Sequence, residues 1–257
     1  MMRGLRAWRG GPMFRSIATC CLLVIASLAL AEGTSAGLGA GCAAEIQSAT
    51  RAVSLPITAT PLDLESPNDE ITLTEVRIQQ LRTASFPELT RVDLKVRAFH
   101  STSDYFRTRF SLPRFFLPWR MRYFLEVNPD IATRQAPTDG VCAILAHELV
   151  HIAALSHGNR IHRLGLVRLF SKRYTATFER RTDLDAIHRG YGDGLKNYRN
   201  WVYNHIPPGN LKQKKRNYFS PEEIENIQRR LREKPELFVY WSKHVPLNLQ
   251  EVLGDAK

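Results

Sequence analysis

The sequence contains few cysteines and, beyond its N-terminus, no long apolar run. Four cysteines in 257 residues are too few for a scaffold held together by disulfides. No stretch of 18 or more apolar residues follows the N-terminal segment, which excludes a protein with several membrane spans. Internal repeats are also absent from the sequence. A hydrophobic fraction of 44% beside 24% charged residues is typical of a globular protein, not a disordered one.

The chain is basic, with a formal net charge of +11 from 36 Lys and Arg against 25 Asp and Glu. A cluster of cations at residues 212–216 is of the kind that can bind nucleic acid. Neither zinc-finger spacing nor an RNA-binding aromatic motif accompanies it, so we expect no nucleic-acid partner. A solvated loop is the alternative interpretation, and so is peripheral contact with an anionic membrane surface.

Residues 1–31 have the layout of a secretory signal peptide. Four arginines and no acidic residue come first, and a mostly apolar, uncharged run then ends in Ala-Leu-Ala at residues 29–31. This layout predicts export, with cleavage near Ala31, to the periplasm, the envelope or the medium. A retained anchor helix, a transit peptide and lipid attachment at Cys42 are the alternatives.

Two cysteines, Cys42 and Cys142, lie beyond the predicted signal peptide. An oxidising compartment would allow a disulfide between them. Whether their side chains meet is a matter of geometry that a single sequence does not decide. The pairing of these two cysteines is therefore a hypothesis at this point.

Two segments alternate apolar and polar residues with a period of two, which is typical of half-buried strands. The first covers residues 92–99. The second begins at Met121, places Tyr123, Leu125 and Val127 on the same face, and ends at an Asn-Pro pair. The aromatic and proline-rich stretch between them predicts a long hairpin or loop.

From residue 137 onward the pattern becomes helical. A capping box is formed by Ser220 and Glu223, with Pro221 at the first helical position, and this predicts a helix start there. Helices are predicted over residues 138–156, 173–189, 192–205 and 221–233. Because strands come first and helices follow, we predict an α+β fold.

These patterns divide the chain into four parts. They are a signal peptide (1–31), an N-terminal lead with the start of the domain (32–89), a core (90–205) and a C-terminal helical extension (206–257).

The segment His147-Glu148-Leu149-Val150-His151 carries the clearest chemical signal. On a helix, residues i and i+4 share a face, so His147 and His151 can bind one ion. Glu148 lies beside them and can act as the general base toward metal-activated water. This is the His-Glu-x-x-His pattern of zinc peptidases, in which a third protein ligand leaves one position for water. We therefore expect one Zn²⁺ per chain.

The third ligand is not determined by this motif. Glu179 lies 28 residues after His151 on the next long helix and is the first candidate. Asp183, one turn later, could accept an N–H from a histidine and hold its tautomer, or bind the ion itself. His157 is the rival, because the three histidines have metzincin spacing. However, Ala154 stands where metzincins have glycine, and their methionine turn has no counterpart downstream.

The combination of His-Glu-x-x-His with Glu179-x-x-x-Asp183 resembles the gluzincin metallopeptidases, in particular the compact minigluzincins. The resemblance implies a zincin-like fold with a sheet, an active-site helix and a glutamate helix. It also implies that residues 123–127 form an edge strand that binds extended peptide by main-chain hydrogen bonds. For the oxyanion of the transition state, it implies a Tyr or His beyond the glutamate helix, and the candidates are Tyr191, Tyr198 and His205.

The predicted function is that of an exported zinc-dependent metallopeptidase that hydrolyses peptide bonds in peptide or protein substrates. The alternative is a non-catalytic envelope protein with a structural zinc site, or with a helix pair that binds a partner. Structural zinc sites normally close four protein ligands. Such a site has no use for the Glu148 carboxylate between the histidines, which favours the peptidase.

Overall fold

The structure, a computed structural model, describes residues 67–114, 121–157 and 171–254. The predicted signal peptide, its cleavage site and Cys42 lie outside these residues, so export stays a prediction. The helices are α1 (Pro67–Ser85), α2 (Asp130–Thr133), α3 (Thr138–His157), α4 (Lys172–Ala186), α5 (Gly192–His205), α6 (Pro208–Asn217), α7 (Pro221–Glu233), α8 (Leu237–Lys243) and α9 (Leu249–Leu253). The strands are β1 (Asp93–Ala98), β2 (Phe106–Phe110) and β3 (Arg122–Val127).

The described part of the chain is mostly helical with a small three-stranded sheet, which confirms the predicted α+β class. Helix α1, at residues 67–85 ahead of the sheet, is not among the elements predicted from the sequence. Buried residues of the sheet and of the helices form one hydrophobic core.

The strand order is β1-β3-β2, with β3 in the centre, parallel to β1 and antiparallel to β2. The expectation that residues 123–127 form the edge strand is therefore wrong. The two edge strands are β1 and β2, and β2 lies inside the stretch interpreted as a hairpin or loop. Its sequence, Phe106-Arg107-Thr108-Arg109-Phe110, does alternate, but five residues beside prolines and aromatics are a weak strand signal.

The two faces of the sheet differ sharply in polarity. Tyr123, Leu125 and Val127 of β3 are almost completely buried on the inner face. The opposite, outer face carries charged side chains, among them Arg107, directly opposite Glu126 in the register. Alternation along each strand thus separates an apolar face toward the helices from a charged face.

Helix α3 forms the centre of the molecule, and every residue from 140 to 152 is buried. Among the described helices, α3 alone is long and apolar enough to cross a membrane, but 72% of that stretch is buried inside the protein, as in the core helix of a globular fold. It packs closely against α5, since a Cβ on Gly194 would lie 2.4 Å from the carbonyl oxygen of Asp139. Only glycine fits at that crossing.

The helix predicted over residues 173–189 corresponds to α4 and the first part of the π-helical turn that follows it. Helix α4 ends at Ala186 and continues as a single π-helical turn, Ile187–Tyr191, before α5 begins. Gly190 has a φ of 92°, a left-handed conformation that glycine adopts without the strain of a Cβ. Gly190 thus marks the kink in the backbone between α4 and α5.

The C-terminal helices pack on the core instead of extending away from it. Phe219 and Trp241 are buried in the same hydrophobic core as the sheet. Helix α7 begins with the predicted capping box, in which Ser220 Oγ accepts from the Glu223 N–H at 3.2 Å. Glu223 also forms a buried ion pair of 2.8 Å with Arg180 of α4. The segment after residue 205 therefore supports the helix that carries Glu179.

Candidate metal centre

Three side chains from two helices converge beneath strand β2. His147 and His151 project from neighbouring turns of α3, and Glu179 faces them from α4. Glu179 Oε2 lies 3.3 Å from His147 Nε2 and 3.1 Å from His151 Nε2. The ligand atoms of the three residues all lie within 4.8 Å of one another, so the group can hold a metal ion.

The spacing of these atoms fits a small tetrahedral ion. Zinc binds imidazole nitrogens and carboxylate oxygens at about 2.0–2.2 Å, which places neighbouring ligand atoms of a tetrahedron about 3.3 Å apart. The two separations between the carboxylate and the imidazoles, 3.3 and 3.1 Å, agree with that value. The donor set of two nitrogens and one oxygen is also one that zinc accepts.

The tautomer of His151 is set by Thr182, one helical turn beyond Phe178. The Thr182 hydroxyl donates to the Phe178 carbonyl oxygen at 3.0 Å, so its oxygen is left to accept from His151 Nδ1, 3.3 Å away. A proton on Nδ1 leaves Nε2, which faces Glu179 at 3.1 Å, as the nitrogen that can bind a metal ion. The Phe178 ring stacks on the imidazole, with 4.9 Å between centroids, and holds its plane.

Asp183 has the same role for His147. Its Oδ1 lies 2.8 Å from His147 Nδ1, although the carboxylate approaches off the axis of the ring N–H. The same oxygen accepts from Arg199 Nη2 at 2.9 Å, and Oδ2 accepts from the Phe219 N–H at 3.1 Å. Because Asp183 is fully buried, these hydrogen bonds and the ion pair are needed to offset the cost of removing its negative charge from water.

Electrostatics in the metal-free protein favour a protonated His147. Burial opposes its charged form, but hydrogen bonds to Asp183 and Glu179 outweigh burial and raise the pKa of His147 to about 9. Burial also opposes the charge on Glu179, yet His151 and His147 together hold the pKa of that carboxyl well below its usual range. A proton thus occupies, in the absence of a metal, the place where a cation would bind.

We therefore expect zinc uptake by the metal-free protein to release about one proton per chain at pH 7.5, since His147 must lose its proton to bind the ion. The apparent zinc affinity should rise about tenfold per pH unit up to pH about 9 and then level off. The raised pKa of His147 also stabilises the metal-free fold below pH 6.5, and this contribution disappears as the pH rises through about 9.

Calorimetric titration with zinc in buffers of different ionisation enthalpy measures the number of protons released. If no proton is released, His147 is not protonated in the metal-free protein.

Glu148 lines the cleft together with His151 and Glu179 of the three-residue group. Its Oε2 accepts a hydrogen bond of 2.8 Å from Thr108 Oγ1 of the edge strand. The residue is buried except for 6% of its surface, and Thr108 holds its carboxylate at the boundary between sheet and helix. Glu148 is thus placed as a neighbour of the three-residue group and not as a member of it.

The cleft that contains these residues has a volume of about 440 Å³. Strand β2 forms one wall, and Phe178 and Tyr218 belong to the helical side. The Tyr218 ring lies 5.9 Å from the His147 ring, centroid to centroid.

The structure does not bring Tyr191, Tyr198 or His205, the predicted oxyanion ligands, into the cleft. Tyr191 Oη is hydrogen-bonded to Ser85 Oγ at 2.6 Å, and Tyr198 is buried in the core. His205 Nδ1 lies 2.8 Å from the Trp201 carbonyl oxygen, and the two rings stack. The gluzincin pattern implied a residue beyond the glutamate helix, but it did not imply which turn would face the site.

Two further predicted residues are only partly described. His157 is the last residue of α3, and its side chain lies outside the described part of the structure, so its rival role as a ligand is untested. Cys142 is fully buried in α3 and disulfide-bonded. Its predicted partner, Cys42, lies outside the described residues, and the pairing remains a prediction.

Four residues around the centre were not anticipated. Thr108 belongs to a strand that the pattern did not predict, and Tyr218 and Arg199 come from segments without a recognisable motif. Thr182 lies between Glu179 and Asp183 on α4, and its spacing of three residues from Glu179 was the one feature of the sequence that could have placed it near the site.

Comparison of the chain with protein-family models, curated proteins and solved structures gives no match.

Proposed function

We propose that the protein is a zinc-dependent metallopeptidase of the gluzincin type, with a zincin-like fold, that hydrolyses peptide bonds. The observation that carries this proposal is the position of Glu148. Its carboxylate lies in the cleft beside the His147, His151 and Glu179 group and is held there by Thr108. Among the described residues that group offers three ligands, which favours an open site over a closed structural one.

In this proposal each residue has a distinct part. A zinc ion at the centre would supply a Lewis acid that polarises the substrate carbonyl and makes water a better nucleophile. Glu148 takes a proton from the attacking water on its carboxylate and returns it to the leaving amine nitrogen. Thr108 orients that carboxylate through the 2.8 Å hydrogen bond. Asp183 and Thr182 keep the two histidines in the tautomers that point Nε2 at the ion.

Tyr218 is the best candidate for a hydrogen bond to the developing oxyanion. It lines the cleft together with Glu148 and Glu179. Burial and the neighbouring carboxylates raise the pKa of Tyr218 well above its ordinary value, so the phenol keeps its proton and can donate it in a hydrogen bond. The Arg199 guanidinium lies 4.2 Å from the ring centroid and holds the ring in place.

Replacement of Tyr218 by phenylalanine is expected to lower kcat by about 10²-fold, because it removes one oxyanion donor and leaves the zinc ligands intact. Zinc content and KM should stay close to those of the wild type. Tyr174→Phe, at an exposed position of α4, is the matched control and should change neither kcat nor KM. A Tyr218→Phe variant with full kcat would remove this residue from the mechanism.

The peptidase proposal is tested by removing and restoring the metal. The zinc-loaded full chain should cleave casein or a mixture of quenched fluorescent peptides. Treatment with a chelator should abolish cleavage, and one equivalent of zinc should restore it. Cleavage that continues in the metal-free protein, or a zinc-loaded chain that cleaves no peptide, would contradict the proposal.

A further inference from the structure

Among the described residues, β2 has a partner strand on one side only, and its main-chain pattern shows which groups lie on the other side. Tyr105, just before β2, accepts from the Asn128 N–H at 2.8 Å, and the Ser111 N–H, just after it, donates to Arg122 O at 2.9 Å. Hydrogen-bonded pairs alternate along an antiparallel ladder, so the odd-numbered residues of β2 bond to β3. The N–H and C=O groups of Phe106 and Thr108 therefore point away from β3. No other strand of the described residues pairs with that side.

This side of β2 faces the cleft, because the Thr108 side chain contacts Glu148 and the strand lines the cavity. A substrate in extended conformation can pair with the main chain of Phe106 and Thr108 as an added strand. Its side chains then alternate between the two faces of the sheet. One set points inward, past Thr108, and the other set points outward, beside Arg107 and Arg109.

The outer face beside that edge has unbalanced positive charge. Arg107 and Arg97 both pair with the buried carboxylate of Glu126, and Arg109 lies 3.3 Å from it. Three guanidinium groups share one carboxylate, which leaves two positive charges. The side chains of Arg107 and Arg109 are nevertheless 39% and 56% exposed, so both can still bind an anion.

The side chain of Arg107 on β2 is also held in position. The Arg107 guanidinium lies 4.0 Å from the centroid of the Phe99 ring, in addition to its contact with Glu126. A side chain fixed by an aromatic ring and a carboxylate loses little conformational freedom when a ligand binds. The edge therefore presents a pre-oriented cation to the outward side chains of an added strand.

The inner face favours apolar side chains, whereas the outer face favours acidic ones. Phe106, Phe110 and Phe178 line the cleft there, together with the carboxylates of Glu148 and Glu179. An acidic side chain that pointed inward would lose its water against this apolar surface, which is unfavourable. Apolar side chains fit this face.

We infer that, given the proposed peptidase function on which this inference rests, the enzyme prefers extended peptides in which acidic side chains alternate with apolar ones. The acidic residues occupy the two positions opposite Arg107 and Arg109. The apolar residue between them faces the metal centre.

The test uses the zinc-loaded full chain and a set of quenched fluorescent peptides that carry Glu, Gln or Lys at each position in turn. We expect kcat/KM to be about three- to tenfold higher for Glu than for Lys at two positions separated by one residue. This ratio should shrink toward one as sodium chloride is raised to 1 M, because salt screens exposed charges.

Arg109→Gln, at the more exposed arginine, should lower the Glu-to-Lys ratio at one of these positions by at least half, and Arg109→Glu should reverse it. The control is Lys95→Gln, which removes one positive charge from the same face on β1. Lys95 lies two strands from β2, about 10 Å away, and its replacement should leave the ratio unchanged.

Equal kcat/KM for Glu, Gln and Lys at every position would overturn the inference while the peptidase function stands. Equal losses in Arg109→Gln and Lys95→Gln would also overturn it, because the effect would then come from overall charge. If the zinc-loaded chain cleaves no peptide, and zinc-loaded Glu148→Gln binds none, the proposed function fails and the inference with it.

Discussion

Replacement of Glu148 by glutamine is expected to lower kcat by about 10²–10⁴-fold while the chain keeps its zinc. Glutamine has nearly the same shape and can still accept the hydrogen bond that Thr108 donates at 2.8 Å. It cannot take a proton from water at neutral pH, so the general base is lost without loss of the fold. Steady-state hydrolysis of a cleaved peptide, with zinc measured in the same preparation, gives both quantities.

The control for this variant is Glu75→Gln, at an exposed position of α1, which should retain full activity. Two outcomes would contradict the role of Glu148. Undiminished hydrolysis would show that another group takes the proton. Loss of zinc together with activity would show that Glu148 is a ligand, not a base.

Replacement of Glu179 by alanine is expected to weaken zinc binding by about 10²–10³-fold. Apparent free energies of zinc binding of about 10–16 kcal/mol are shared among three or four ligands, so that each accounts for roughly 3–4 kcal/mol. The variant also leaves His147 and His151 without the carboxylate that lies 3.3 and 3.1 Å from their Nε2 atoms. Competition with a chromophoric chelator at fixed pH measures the change.

Asp185→Ala provides the matched control, because Asp185 lies on the same helix and pairs with Arg189 rather than with the histidines. Its zinc affinity should equal that of the wild type. His157→Ala should also keep its zinc. If Glu179→Ala retains wild-type affinity and His157→Ala loses it, the third ligand is His157 and the assignment made here is wrong.

The parts of the site that could be predicted from the sequence are those determined by local helical periodicity. His147 and His151 share a face because they are four residues apart in one helix, and this spacing survives any arrangement of the rest of the chain. Glu179 and Asp183 are related in the same way on α4. Once one of them faces the histidines, the other lies one turn away, beside His147.

The parts that could not be predicted depend on contacts between distant segments. Strand β2 is five residues long, and it lies at an edge of the sheet because β3 pairs with both β1 and β2. Tyr218 reaches the cleft because α6 and α7 fold back onto α4, where Glu223 pairs with Arg180. The sequence pattern within α6 and α7 does not reveal that they pack against α4. The incorrect choice of residues 123–127 as the edge strand has the same origin, since chain order does not determine strand order.

The most direct test of the account is the metal content and ligand set of the purified full chain, by elemental analysis and X-ray absorption at the zinc edge. We expect one zinc per chain, bound by two imidazole nitrogens at about 2.0–2.1 Å with oxygen atoms in the remaining positions. We also expect His147→Ala to abolish the signal. A chain that takes up no zinc would contradict the proposed centre, and a spectrum with three imidazoles would contradict the role of Glu179.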